Sequence, residues 1–153
     1  MMTQPKRVLA IASGGGHWVQ LLRMREAFDG ASVAYATTSP DSAQEVPGSP
    51  FFVVPDATRW NRWALVKLTV SVMWLLLRLR PQVVVTTGAA PGLIAIAIGH
   101  ALGMRTVWVD SIANVDGMSL SGQSARRFAD LWLTQWEHLA AEPGGPSFRG
   151  AVL

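Results

Sequence analysis

The sequence predicts an α/β fold, a Rossmann-like parallel sheet with helices on both faces. Two observations carry that prediction. Short apolar, β-branched runs alternate along the chain with longer helical patterns, and strand–helix–strand connections within one sheet are right-handed crossovers that leave the strands parallel. One of those runs, residues 82–86, contains the consecutive valines Val83, Val84 and Val85, the composition of a strand covered on both faces. At 153 residues the chain suits a single domain with its own core. That domain is predicted to span 1–141, and the Pro/Gly-rich stretch 142–153 reads as an irregular tail suited to docking a partner.

Residues 7–12 form the first predicted strand. It breaks into Ser13-Gly14-Gly15-Gly16-His17 and opens an amphipathic helix over 17–28. Residues 32–37, small and β-branched, form the second strand, followed by a polar loop over 38–50 and a short third strand over 51–54. A long apolar helix over 61–79 is stopped by Pro81. The fourth strand, 82–86, leads to a helix over 91–102 with Pro91 in its first turn and Gly103 as its stop. Residues 105–109 form a fifth strand, 122–129 a short helix and 130–134 a sixth strand.

Composition narrows the function. Hydrophobic residues make up 50% of the chain and charged ones only 15%, so part of the surface is poorly protected against association and is expected to meet a membrane or a partner. The net charge of +3 is mild. It favours a phosphate ligand or an anionic leaflet over nucleic acid, which is not an expected partner. The absence of cysteine excludes a disulfide framework, a thiolate nucleophile and a Cys-based metal site, and is compatible with the cytosol. Lys6 and Arg7 precede an apolar run too short for a signal peptide, and no apolar run is long enough to span a bilayer.

Ligands of parallel sheets bind beyond the carboxyl ends of the strands. Three loops are predicted at that edge, over 13–17, 87–92 and 110–121. In the first, glycines tolerate a tight turn and let an anion approach the unpaired amides of a helix start, beside a histidine, a residue that titrates near neutral pH. It is a poor dinucleotide fingerprint, because Val19 stands at the third glycine position and Thr37-Thr38 where a ribose-binding acid belongs. No Gly-Lys-Ser/Thr follows, so it is not a P-loop. The second loop, Thr87-Gly88-Ala89-Ala90-Pro91-Gly92, is built of small residues at another helix start; it reads as a ligand-lining edge or as ordinary turn chemistry. In the third, Asp110 ends a buried strand and either orients a ligand hydroxyl or a histidine, or caps a local turn. Ser119 and Ser121 lack the Gly-x-Ser-x-Gly elbow, which argues against a hydrolase.

A fourth feature is the stretch 59–80. Trp60, Arg62, Trp63, Lys67, Trp74 and Arg78 suit a helix lying in a bilayer interface with its cations reaching toward headgroups. Lys67, Ser71 and Arg78 fall in one narrow arc of the helical wheel. The competing reading is a helix buried between the sheet and a partner.

Taken together these residues resemble a glycosyltransferase family, the acceptor-side subunits of split GT-B enzymes named for asparagine-linked glycosylation protein fourteen, with bacterial relatives in capsule and exopolysaccharide synthesis. The resemblance rests on Ser13-Gly14-Gly15-Gly16-His17, on Thr86-Thr87-Gly88-Ala89-Ala90-Pro91-Gly92, and most specifically on Val109-Asp110-Ser111-Ile112-Ala113-Asn114-Val115. Ser119-Leu120-Ser121-Gly122, Phe128-Ala129-Asp130, Leu133-Thr134-Gln135-Trp136 and the tail over 145–153 extend it along nearly the whole chain. Two departures stand out: Asp110 where many members carry Glu, a change expected to be tolerated, and no counterpart of the eukaryotic members' N-terminal membrane anchor, which throws weight onto 59–80.

The resemblance implies the N-terminal half of a GT-B fold, with a partner chain binding the UDP-sugar and the active site in the cleft between them. It implies transfer of a sugar, GlcNAc or related, to a saccharide on a polyprenyl diphosphate, at the cytoplasmic face of the plasma membrane. No residue pattern in the chain calls for a metal, and no cofactor is expected. His17 is the candidate general base or a phosphate contact. Gly14, Gly15 and Gly16 would offer amides to a diphosphate, and Thr87, Gly88, Asp110 and Ser111 would line the acceptor cleft. The alternative is a non-catalytic membrane scaffold that recruits a separate transferase. A nucleotide-dependent oxidoreductase or epimerase is disfavoured by the incomplete fingerprint.

Overall fold

All six predicted strands form, and they join a single parallel sheet in a computed structural model that describes residues 3–152. The strands are β1 (Arg7–Ile11), β2 (Ser32–Thr37), β3 (Phe51–Val53), β4 (Val83–Thr86), β5 (Arg105–Val109) and β6 (Leu131–Thr134), with β7 (Ser147–Phe148) added from the tail. Their order is β3-β2-β1-β4-β5-β6-β7, every neighbouring pair parallel. Ile11 stands opposite Ala36 on one side and Thr86 on the other, so the carboxyl ends of the three central strands are level.

Side chains alternate across the sheet. Leu9, Ile11, Ala34, Ala36 and Val84 face α2 (Arg62–Leu79) and α3 (Ala89–Ala101), and meet Leu68, Val72, Leu75, Leu76 and Ile96. Val8, Ala10, Tyr35 and Val85 face the other way and meet Trp18 and Leu21 of α1 (Gly16–Arg23). The chain closes with α4 (Leu120–Ala125) and α5 (Glu137–Ala140).

Helix α2 is capped by Asn61, whose Oδ1 accepts the Ala64 N–H at 3.0 Å. It ends at Arg80 in the left-handed region, φ 45°, with Pro81 next. Only Leu68, Val72, Leu75 and Leu76 of its residues are buried. Trp63, Val66, Val70, Trp74 and Leu77 are each more than half exposed, so a second apolar stripe runs along the outside of the helix. Among the described residues no helix is long and apolar enough to cross a membrane.

Several boundaries differ from the sequence expectation. The helix predicted over 17–28 ends at Arg23, where Met24 turns its N–H to Leu21 O and the chain tightens into a 3-10 turn, Arg25–Phe28. The loop over 38–50 contains a 3-10 turn, Pro40–Glu45. Helix α3 starts two residues before the predicted 91, at Ala89. Helix α4 starts at Leu120 rather than 122 because Ser119 caps it, its Oγ accepting the Gly122 N–H at 2.9 Å. The tail read as irregular carries β7, whose Ser147 and Phe148 pair with Leu133 and Thr134; two residues are too few to show a pattern in sequence. Residues 1, 2 and 153, the outer bounds of the predicted domain and tail, lie outside the described residues.

Candidate functional site

The strand order reverses between β1 and β4. The chain leaves β1 for α1 on one face and β4 for α3 on the other, which opens a crevice at the carboxyl ends of those two strands. The glycine loop and the Thr87–Gly88 loop meet there. Gly15, at φ 73°, turns the chain into α1 and leaves His17 in the helix's first turn.

Two hydrogen bonds lock the loops together. Thr87 Oγ1 donates to His17 O at 2.6 Å, and His17 Nδ1 lies 3.0 Å from Thr87 O. A carbonyl only accepts, so Nδ1 carries the proton and Nε2 is the basic nitrogen of the neutral ring. Nε2 is bonded to none of the described residues. The imidazole lies against Gly88, where a Cβ would sit 2.9 Å from both Nδ1 and Cε1. Gly88 has φ 132° and donates its N–H to Thr86 Oγ1 at 3.1 Å. The next residue, Ala89, is held at φ 64°, a left-handed conformation that costs an alanine about 1–2 kcal/mol and is of the kind concentrated at functional sites.

The glycines are not equivalent. Gly14 donates its N–H to Thr38 Oγ1 at 3.0 Å, so this amide, expected to meet a diphosphate, is already used inside the fold. Gly15 and Gly16 are exposed, and no side chain caps α1, leaving its first-turn amides open to an anion. Thr37, at the end of β2, is fully buried, and its Oγ1 has no partner among the described residues.

Asp110 does not face the cleft. It is 2% exposed. Its Oδ1 accepts from Trp108 Nε1 at 3.1 Å and Ser119 Oγ at 2.6 Å; its Oδ2 accepts from Asn114 Nδ2 and Ser119 N, both at 2.9 Å. The carboxylate thus gathers the loop after β5 and holds the cap of α4, which makes it a positioning group. Ser111 is also buried, accepting from Gln20 Nε2 at 3.1 Å and from the Ala113 N–H at 3.2 Å.

Sequence reasoning missed two residues. Gln20, one turn after His17 on α1, is buried; its Oε1 accepts from Ile112 N at 3.1 Å and from Gln135 Nε2 at 2.6 Å. Gln135 also donates to Asp110 O at 2.9 Å, and its Oε1 accepts the Val152 N–H at 2.7 Å. These two amides form a polar spine tying α1, the 110–119 loop, the end of β6 and the tail. The only signal in sequence was Gln135 within a family-like run. Among the described residues no three His, Asp or Glu side chains converge to hold a cation.

The six residues predicted to face a membrane are all exposed and lie along or just before α2. Arg59 stacks over Trp60 at 4.5 Å and Arg78 over Trp74 at 5.0 Å.

Residues 56–152 match the family described as oligosaccharide biosynthesis protein Alg14 like. The chain belongs to the Alg14 family. It is 30% identical over 148 residues to the UDP-N-acetylglucosamine transferase subunit ALG14 of Eremothecium gossypii, covering 93% of this chain and 57% of that protein. It is 26% identical over 180 residues to the Mus musculus protein of the same name, covering 96% and 83%. Among solved structures it resembles Acinetobacter baumannii MurG, with TM-score 0.70 and 17% identity over 97% of this chain and 45% of that one. Methanocaldococcus jannaschii UDP-GlcNAc 2-epimerase in complex with UDP-GlcNAc and UDP aligns with TM-score 0.66 and 12% identity, over 84% and 40%. At these identities the structural likenesses establish the Rossmann-like, GT-B-type fold alone. The chain spans 57% of the Eremothecium relative's length and less than half of either solved chain.

Proposed function

We propose that this Alg14-family chain is the acceptor-binding, membrane-associated half of a two-chain glycosyltransferase. It presents a polyprenyl-diphosphate-linked saccharide to a partner subunit that holds UDP-GlcNAc or a related UDP-sugar. The observation that carries the reading is the His17–Thr87 clasp at the crevice between β1 and β4, which fixes the tautomer and leaves Nε2 as a base.

In the reaction, His17 Nε2 takes the proton of the acceptor hydroxyl as its oxygen bonds to the anomeric carbon. The bond from that carbon to UDP breaks, and UDP leaves with the electron pair. The open amides of α1 at Gly15 and Gly16 receive the acceptor diphosphate, while stabilising the leaving diphosphate falls to the partner. The apolar stripe of α2, with Trp60 and Trp63 at one end and Arg78 near the other, rests in the interface at the cytoplasmic face of the membrane.

The partner's docking surface is the α1 side of β4–β6. There Val83, Val107, Leu131 and Leu133 line an open groove of about 540 Å³ that reaches Arg149 of the tail, in contrast to the other face, which α2 and α3 cover. The test is transfer by the reconstituted complex. His17→Gln should lower kcat by about 10²–10⁴-fold, the range for a lost general base, with complex formation and vesicle binding unchanged. Full activity in that variant removes His17 from the chemistry. A partner that transfers at full rate without this chain makes the chain a scaffold.

A further inference from the structure

The buried amide pair Gln20–Gln135 is completed from the tail. Gln135 Nε2 donates to Gln20 Oε1 at 2.6 Å and to Asp110 O at 2.9 Å. Gln20 Oε1 also accepts the Ile112 N–H at 3.1 Å, and Gln20 Nε2 donates to Ser111 Oγ at 3.1 Å. That leaves Gln135 Oε1, which accepts the Val152 N–H at 2.7 Å. Both glutamines are buried, at 6% and 3% exposed. Residues 150–152 lie beyond β7, and among the described residues this is the hydrogen bond that ties them to the fold. Together with Val109 and Leu133 they line an open cavity of about 340 Å³. At this point the tail is held by a bond rather than by close packing.

We propose that Gln135 is a positioning residue for His17, and that the seated tail sets it. Two side chains hold the flank of α1 that faces the later strands: His17 at Thr87, and Gln20, one turn on, at Ser111 and Ile112. The helix is eight residues long, enters from Gly15 at φ 73° and has no side-chain cap. Its first turn therefore leans on these two anchors and on the core contacts of Trp18. Without the Val152 N–H, Gln135 Oε1 is a buried acceptor with no partner, a costly arrangement. Turning that amide over sets its oxygen against Gln20 Oε1, acceptor against acceptor. Gln20 then either turns too, which takes its oxygen from the Ile112 N–H, or draws back and carries α1 with it. Both paths loosen the helix one turn below His17. Both slacken the bond from Nδ1 to Thr87 O that leaves Nε2 as the basic nitrogen. The inference rests on the reading of His17 as the base, proposed above, and adds what keeps it in place.

The test is NMR of nitrogen-labelled histidines in the full chain, without partner or substrate, in mildly alkaline buffer where a free imidazole is neutral. The chain has three histidines, and the signal lost in His17→Gln assigns the site. The native ring should show a single Nδ1–H tautomer with a protected proton. Val152→Pro removes the N–H donor of the tail and should abolish that signal in favour of the time-averaged one of a free ring. Gln135→Leu should do the same. Val152→Ala keeps the donor and should keep the signal. Trp136→Phe deletes a different bond to the same loop, from Trp136 Nε1 to Ile112 O at 2.7 Å. It should leave the signal in place, which separates positioning from general loosening. A native-like signal in Val152→Pro or in folded Gln135→Leu overturns the inference, as does its loss in Trp136→Phe. Val152 lies outside every helix and strand, so its proline variant keeps the test decisive if Gln135→Leu does not fold. No sugar transfer is measured, so a fully active His17→Gln complex would strike the functional reading and leave this result standing.

Discussion

Replacing Asp110 with Asn changes one atom and separates a positioning carboxylate from one that holds substrate. In the native loop four donors converge on its two oxygens, and an amide keeps only one of those oxygens. If the NH2 takes the Oδ1 position, it confronts the indole N–H of Trp108, a fully buried residue. The Ser119 hydroxyl can turn there, although its oxygen already accepts from Gly122. If the NH2 takes the Oδ2 position, Asn114 can rotate its own amide, yet the Ser119 N–H has nothing to bond. Either way one N–H, fully buried at Trp108 or half-buried at Ser119, is orphaned, at about 1–3 kcal/mol, and the surviving bonds lose the charge that roughly doubles their strength. The expected total is about 3 kcal/mol, which lowers a urea midpoint by about 1.5 M for a slope near 2 kcal/mol per M. Urea unfolding followed by tryptophan fluorescence measures it directly. A variant with an unchanged midpoint that loses only activity would refute the positioning role and return Asp110 to the substrate.

Two further outcomes test the site and the core. Gly88→Ala puts a Cβ 2.9 Å from the His17 ring and an L-residue at φ 132°; strain of this kind costs about 1–3 kcal/mol, and an imidazole displaced by roughly 1 Å loses about 10²-fold in kcat. Wild-type kcat in the reconstituted complex would show that the ring does not need this seat. Tyr35 is the single tyrosine, so phenolate absorbance reports it alone. Burial raises its pKa above 10.0, against a smaller lowering by Arg25. The unfolded phenol releases its proton near pH 10 while the folded one retains it, so this contribution to stability is whole below pH 10 and is lost as pH climbs through the folded value. A native titration midpoint at or below 10 contradicts that environment.

The sheet was readable because buried parallel strands leave valine-rich runs, and the three loops fell at its carboxyl edge for the same reason. The clasp between them was not. His17 and Thr87 are 70 residues apart, and they meet only because β4, rather than a later strand, lies beside β1. Gly14 looked equivalent to Gly15 and Gly16 in sequence; the approach of Thr38 across from β2 distinguishes it. Gln20 and Gln135, separated by 115 positions, are polar residues that ordinarily face solvent, and nothing local marks them as a buried pair. Asp110 was recognised as special without its direction, because an acid at a strand end can serve a ligand or a loop equally well.

Helix α1 carries His17 in its first turn and Gln20 one turn later, and Gln20 is hydrogen-bonded to the backbone of the far loop at Ile112. Tilting that short rod would swing the imidazole and drag the opposite rim of the crevice in the same movement. The two walls therefore behave as one jaw, so in the proposed two-chain enzyme closure on an acceptor would come from the partner sliding toward it rather than from adjustment within this lobe.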